Sequence, residues 1–325
     1  MAYLIERLWT KHFKNWLITD CAVREHDVIY LCLRKNVPPE EATLLWDHDI
    51  HSKLFGLSLA PPVGEKFGAS TFDGFNRPRV GVSRKPLRQG LLVANNNDGQ
   101  VDMMGAGVAS GFEYIGVGQV PATKRVKCIN DYAYSVGLFR SIYKRVEAGK
   151  WVKIDEGFPK VEASTEHGFN DLDAFHEQDM YAVGGRGDVW HFDGHRWSQM
   201  DFPGNLQLAT VTCAGDDFVY ISGEGGSIWR GRESSWELVY KGGSSIMWND
   251  VLWHEDKLWL ASDYQFRIWD GVNMLRPTYD GTATGEPVPI YGHMDCYGGL
   301  LIVASPDVVM AYQNKQWRTL IAPCL

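Results

Sequence analysis

Long apolar runs are missing from this sequence, and nothing approaches the ~20 residues of a membrane-spanning helix. The opening stretch MAYLIERLWTKHFKNWLITD is broken by Glu6, Arg7, Lys11 and His12. It therefore lacks the ~7–15-residue apolar core of a secretory signal. These two absences read as a soluble, cytoplasmic protein with no membrane partner. Cysteine is sparse, and none of Cys21, Cys32, Cys128, Cys213, Cys296 and Cys324 forms a C-x-x-C pair. That argues against zinc and, without a secretion signal, against a disulfide framework. Basic residues are in deficit, 32 against 40 acidic ones, for a net charge of −8. Such a surface repels nucleic-acid phosphates and attracts a basic protein. P-loop, G-x-S-x-G, H-E-x-x-H and EF-hand patterns are absent, so no catalytic residue or cofactor is expected. The densest metal-like run, WDHDIHS, holds Asp47, His48, Asp49 and His51. A strand would alternate those side chains between its two faces, so no metal site is expected there either.

Aromatic residues and glycine are abundant: 13 Trp, 14 Tyr, 14 Phe and 34 Gly. Aromatics suit half-buried strands and glycine suits tight turns, so the composition predicts many short strands. Four segments beginning at Asn170, Ala209, Asn249 and Tyr291 share one plan. A fairly apolar first strand meets a polar turn. A strongly apolar second strand follows (MYAVG, VYISG, LWLAS or LIVAS). The third strand ends in Trp190, Trp229, Trp269 or Tyr312, and Trp197, Trp236 or Trp317 opens the fourth. The plan continues upstream from Ile129 and Gly90, and from Asp20 with LLWDHD near Trp46 as a third strand. The second-strand markers are Tyr30, Leu92, Tyr134, Tyr181, Tyr220, Trp259 and Ile302. The later spacings fall near the ~40–50 residues of a propeller blade.

The expected fold is thus all-β, a β-propeller of seven four-stranded blades forming a single domain over residues 1–325. One four-stranded sheet of this size cannot bury both faces, and stacking sheets around an axis does so in series. The long gap between Tyr30 and Leu92 predicts an insertion at 61–84. Residues 1–16 match no blade and are expected to form an extension or a closing strand. A pair of β-sandwiches would not produce the sustained spacing, and helix is expected only in patches such as Pro39–Leu45.

The unit D-x-h-Y-x-V-G-x-x-G-x-h-W-x-x-D-G-x-x-W (h, apolar) resembles repeats of the bacterial WD40-like/YVTN and sialidase-like propeller superfamily. The resemblance spans about two thirds of the chain and implies fold alone. The sialidase Asp-box is absent, and the Trp-Asp and Gly-His pairs do not recur in one register.

Function is sought on the face built by loops that enter each first strand and join second to third strands. Those loops carry Phe169, Arg186, Glu224, Trp248, Tyr264, Tyr291 and His293. Exposed aromatics with arginine are what protein interfaces use as anchors. The Asn170-Asp171 and Asn249-Asp250 pairs are expected to bond the turn backbone. The favoured reading is a non-enzymatic protein-binding scaffold, in its sharper form an immunity protein neutralising a basic toxin. The alternatives are a carbohydrate-binding or carbohydrate-active propeller stacking sugars on Trp248 and Tyr264, and a structural part of a phage or secretion assembly.

Overall fold

Each repeat folds as four consecutive antiparallel strands in the computed structural model. It describes residues 6–323 apart from 62–63, 96–97, 108–110, 117, 119, 160–167 and 244. Blade 1 comprises Trp16–Glu25, Val28–Lys35, Ser52–Ser58 and Phe67–Phe72. Blade 2 comprises Arg79–Ser83, Gln89–Val93, Gln100–Gly105 and Glu113–Tyr114. Blade 3 runs from Thr123–Ile129 to Lys150–Lys153, blade 4 from Phe169–His176 to Trp197–Gln199, and blade 5 from Leu208–Cys213 to Ser235–Tyr240. Blade 6 runs from Asp250–His254 to Met274–Leu275 and blade 7 from His293–Tyr297 to Gln316–Ile321. Strand order within every sheet follows chain order. All seven second-strand markers fall in second strands, which are strongly apolar and largely buried.

The core lies between blades. Among the described residues it falls into seven apolar clusters, and each joins two neighbouring blades. This is what stacking of two-faced sheets requires. Trp190, Trp197 and Trp269 are buried in these seams, as packing would have it. Polar links repeat the same logic on the inner strands. The Asp20 carboxylate accepts the Val80 amide of blade 2, and that of Asp171 accepts the Val211 amide of blade 5. Asp250 accepts the Met294 amide of blade 7, and Asp295 accepts the Val23 amide of blade 1. Asp171 and Asp250 therefore do not bond their own turns, as expected from sequence, but latch onto the next blade. Asn170 does the same, donating to the Leu208 carbonyl at 2.7 Å, whereas Asn249 donates to Asp263 of its own blade at 2.6 Å and to the Gly292 carbonyl at 3.3 Å.

Two expectations need correction. Trp46 is not in a third strand: Ser52–Ser58 is the third strand of blade 1. Residues 61–84 are not an insertion, for Phe67–Phe72 and Arg79–Ser83 are blade strands. FGASTF carries little strand signal because the stretch between its two phenylalanines is small and weakly apolar and none of the strand is fully buried. The extra length lies instead at 36–51, between the second and third strands of blade 1, and it includes the helical turn Pro39–Ala42. For residues 1–16 the expectation is an extension or a closing strand, and among those described no strand precedes Trp16. Trp9–Phe13 forms a helical turn, with Leu8 and Phe13 buried in the cluster shared by blades 7 and 1. Closure comes from direct packing of those two blades and from the Ile18 amide donating to Pro306 at 2.8 Å.

Candidate functional site

The loop-bearing face divides the seven candidate residues into three groups. Phe169 and Trp248 are buried. Phe169 packs against Phe158 and Trp197 at ring distances of 5.6 and 6.4 Å. The Trp248 indole donates to the Gly226 carbonyl at 3.1 Å. Both plug seams between blades, so Trp248 offers no open ring for a sugar. His293 points to the axis, its Nδ1 3.0 Å from the Asp250 carboxylate. Burial opposes its charge, but that carboxylate outweighs burial and the imidazole pKa moves upward. Arg186, Glu224, Tyr264 and Tyr291 are exposed. Of the entering loop at 165–171, residues 165–167 lie outside the described residues.

A charged cluster gathers on the inner strands around Arg125 and Asp250. The Arg125 guanidinium donates to Asp250 and to the Asn249 carbonyl, each at 2.6 Å, and lies 3.4 Å from Asp171. Below it a cavity of about 180 Å³ is lined by Lys127, Asp173 and Asp295, and by Cys21, Cys128, Cys213 and Cys296. Burial pushes the thiols up, to about 11 for Cys128 and about 12 for Cys296. They stay protonated at neutral pH and are poor nucleophiles. Arg84 also lines it, its guanidinium 3.3 Å over the Tyr297 ring.

Two exposed features remain on the loop face. The first is the long loop of blade 1, where Leu44 is 83% and Trp46 74% exposed. Such a loop, longer than the usual ~4–6 residues, is a common carrier of function. Its backbone is held firmly. Asp49 accepts the Trp46 amide at 2.8 Å, and Asp47 is clamped by Arg34 at 2.6 Å and Arg77 at 2.8 Å. Asp47, His48, Asp49 and His51 therefore do not converge: His51 turns instead to Asp73. Leu44 and Trp46 were missed because WDHD was read as a strand. The available signal was the helix-type start Pro39-Glu40-Glu41 just upstream.

The second feature is a groove of about 370 Å³ between the Ser262–Gln265 turn of blade 6 and the connection into blade 7. Tyr264, 78% exposed, and Tyr291, 38% exposed, flank it. Phe266 and Ile290 form its floor, and Arg267 and Arg276 line it. Gly292 fixes the position of Tyr291. Its φ is +112°, and a Cβ there would lie 2.1 Å from the Ala304 carbonyl oxygen, so only glycine lets the chain turn into blade 7 here. The structure thus brings Tyr264 and Tyr291 together and adds two arginines that motif reading did not single out.

Seven four-stranded antiparallel blades define the chain as a β-propeller. Its architecture is matched by the WD40 propeller domain of Doa1, with TM-score 0.59, 11% identity and 90% of each chain covered. YCF48 bound to D1 peptide matches with TM-score 0.59, 15% identity and 92% of each chain covered. YCF48 from Cyanidioschyzon merolae matches with TM-score 0.58, 12% identity, 93% of this chain and 97% of that one. At these identities the likeness concerns fold alone. No protein-family profile matches the chain. Sequence comparison is more specific. Over 245 residues the chain is 32% identical to the immune protein Tsi7 of Pseudomonas aeruginosa, covering 73% of this chain and 77% of that protein. The chain belongs to the Tsi7 family and is an immunity-type propeller.

Proposed function

We propose that this chain is a cytoplasmic immunity protein that binds and neutralises a protein toxin through the loop face of the ring. The observation that carries the reading is the 32% identity to an immune protein across 73% of the chain. The face supports it physically. Leu44 and Trp46 stand in water on a braced loop, and a rigid exposed aromatic is the usual centre of a protein hot spot. The net charge of −8 would steer a basic toxin toward the ring and speed encounter.

The test is co-expression with the protein encoded by the adjacent gene. The expected result is rescue of growth and a complex that survives gel filtration in moderate salt. Leu44→Ala with Trp46→Ala should leave thermal stability unchanged, since neither side chain is in the core, and should weaken binding about 30-fold or more. A neighbour that is not toxic, or is toxic but neither bound nor neutralised, would overturn the reading.

A further inference from the structure

We propose that the groove between Tyr264 and Tyr291 is a carboxylate-recognition pocket that receives an acidic side chain of the protein partner. This rests on the reading of the chain as an immunity protein, because the occupant is assigned to that partner.

The argument begins with charge. Arg267 and Arg276 line one groove, and neither forms an ion pair with any described carboxylate. The recorded side-chain bond of Arg267 runs from its guanidinium to the Phe266 carbonyl at 2.9 Å. The remaining N–H donors of that fork are left for a ligand. Arg267 is half-buried, and its cation is opposed first by burial and then by the charge of Arg276. No carboxylate is among the groups that act on it.

Elsewhere the protein pairs its buried arginines. Arg125 meets Asp250 at 2.6 Å, Arg140 forms a two-point contact with Asp188 at 2.9 Å, and Arg145 does the same with Glu113. Arg267 has no such partner, and the charge beside it is that of Arg276. Arg276 is exposed, but its charge adds to the burial that opposes the Arg267 cation, and an anion would relieve both. The guanidinium fork matches a carboxylate in plane and spacing. The tyrosine hydroxyls add donors, and the apolar floor of Phe266 and Ile290 suits the methylenes of a glutamate. A partner that is basic overall can still place one acidic residue here. The long-range field then sets the rate of encounter, and this contact sets its register.

The experiment has two arms. In the first, the arginine Nε–H signals of the full chain are followed by NMR while glutarate or inorganic phosphate is added. Glutarate should shift the Arg267 signal saturably, and Arg276→Gln should weaken that binding about tenfold, as expected for loss of one charge-assisted bond. No saturable shift, a shift unaffected by Arg276→Gln, or a response to phosphate alone would overturn the proposal. In the second arm, Arg267→Gln with Arg276→Gln is introduced into the wild-type complex with the partner. Affinity should fall at least about tenfold with unchanged melting temperature, and an unchanged affinity overturns the assignment. If the wild-type chain forms no complex at all, the immunity reading fails, and the titration arm still judges the groove.

Discussion

Blades 2 and 3 are joined by a buried ion pair whose removal has a calculable cost. Arg145 is fully buried and Glu113 is 7% exposed. The guanidinium contacts both carboxylate oxygens, one through Nε at 2.8 Å, and donates to Ser83 at 3.0 Å. The Trp151 indole donates to the same carboxylate at 3.2 Å. Removing one partner strands the other as an uncompensated buried charge, which costs about 3–5 kcal/mol. Glu113→Gln and Arg145→Met should each show this loss. With an unfolding entropy near 2.1 cal/mol/K per residue, each kcal/mol lowers the melting temperature of a chain this long by roughly 1.5 °C. Each single variant should therefore melt about 4–7 °C lower if the ring unfolds as one unit. The double variant loses both charges together and should recover most of the deficit, leaving about 1–2 kcal/mol for the lost hydrogen bonds. Calorimetry together with urea unfolding followed by tryptophan fluorescence would measure all three. Single losses below about 1 kcal/mol, or a double variant that loses the sum of the singles, would refute the reasoning.

Two further outcomes follow from the same physics. Trp197 is fully buried, stacked on Phe158 at 5.3 Å and bonded to the Ile154 carbonyl. Trp197→Ala should cost about 3–5 kcal/mol in urea unfolding, and the half-buried equivalent Trp236 should cost clearly less. Burial raises the Asp102 carboxyl to about 6, and its Oδ2 is buried without a hydrogen-bond partner. The native state holds that proton more tightly than the unfolded chain, whose pKa is about 3.9. Stability from this group is thus present below about pH 4 and lost as pH rises toward 6. Asp102→Asn should gain about 1–2 kcal/mol at pH 8, after allowance for partial exposure, and nothing at pH 4. A gain that does not depend on pH would contradict the assignment.

The ring itself was legible in the sequence because it is a local, periodic property. Every blade is one contiguous stretch of chain. Its second strand is buried on both faces and so must be apolar throughout, which made Tyr30 through Ile302 readable as a ruler. Trp197 and Trp269 were readable as packing residues for the same reason. The half-exposed outer strand Phe67–Phe72 carries no such signal, so the length of blade 1 was assigned to the wrong place. The loops of the candidate face were legible as turns between readable strands. Which of its aromatics plug a seam and which meet solvent was not, because that depends on the neighbouring blade.

The sequence by itself determined the fold class, the number of blades and the acidic balance, since each follows from composition and short-range pattern. Only the tertiary structure decided that Phe169 and Trp248 are core, that Trp46 is exposed, and that Arg267 and Arg276 share a groove in which neither pairs with a described carboxylate. Those are statements about distance between residues far apart in pattern and about burial by other blades. No period of 2 or of 40 encodes them; closing the ring does.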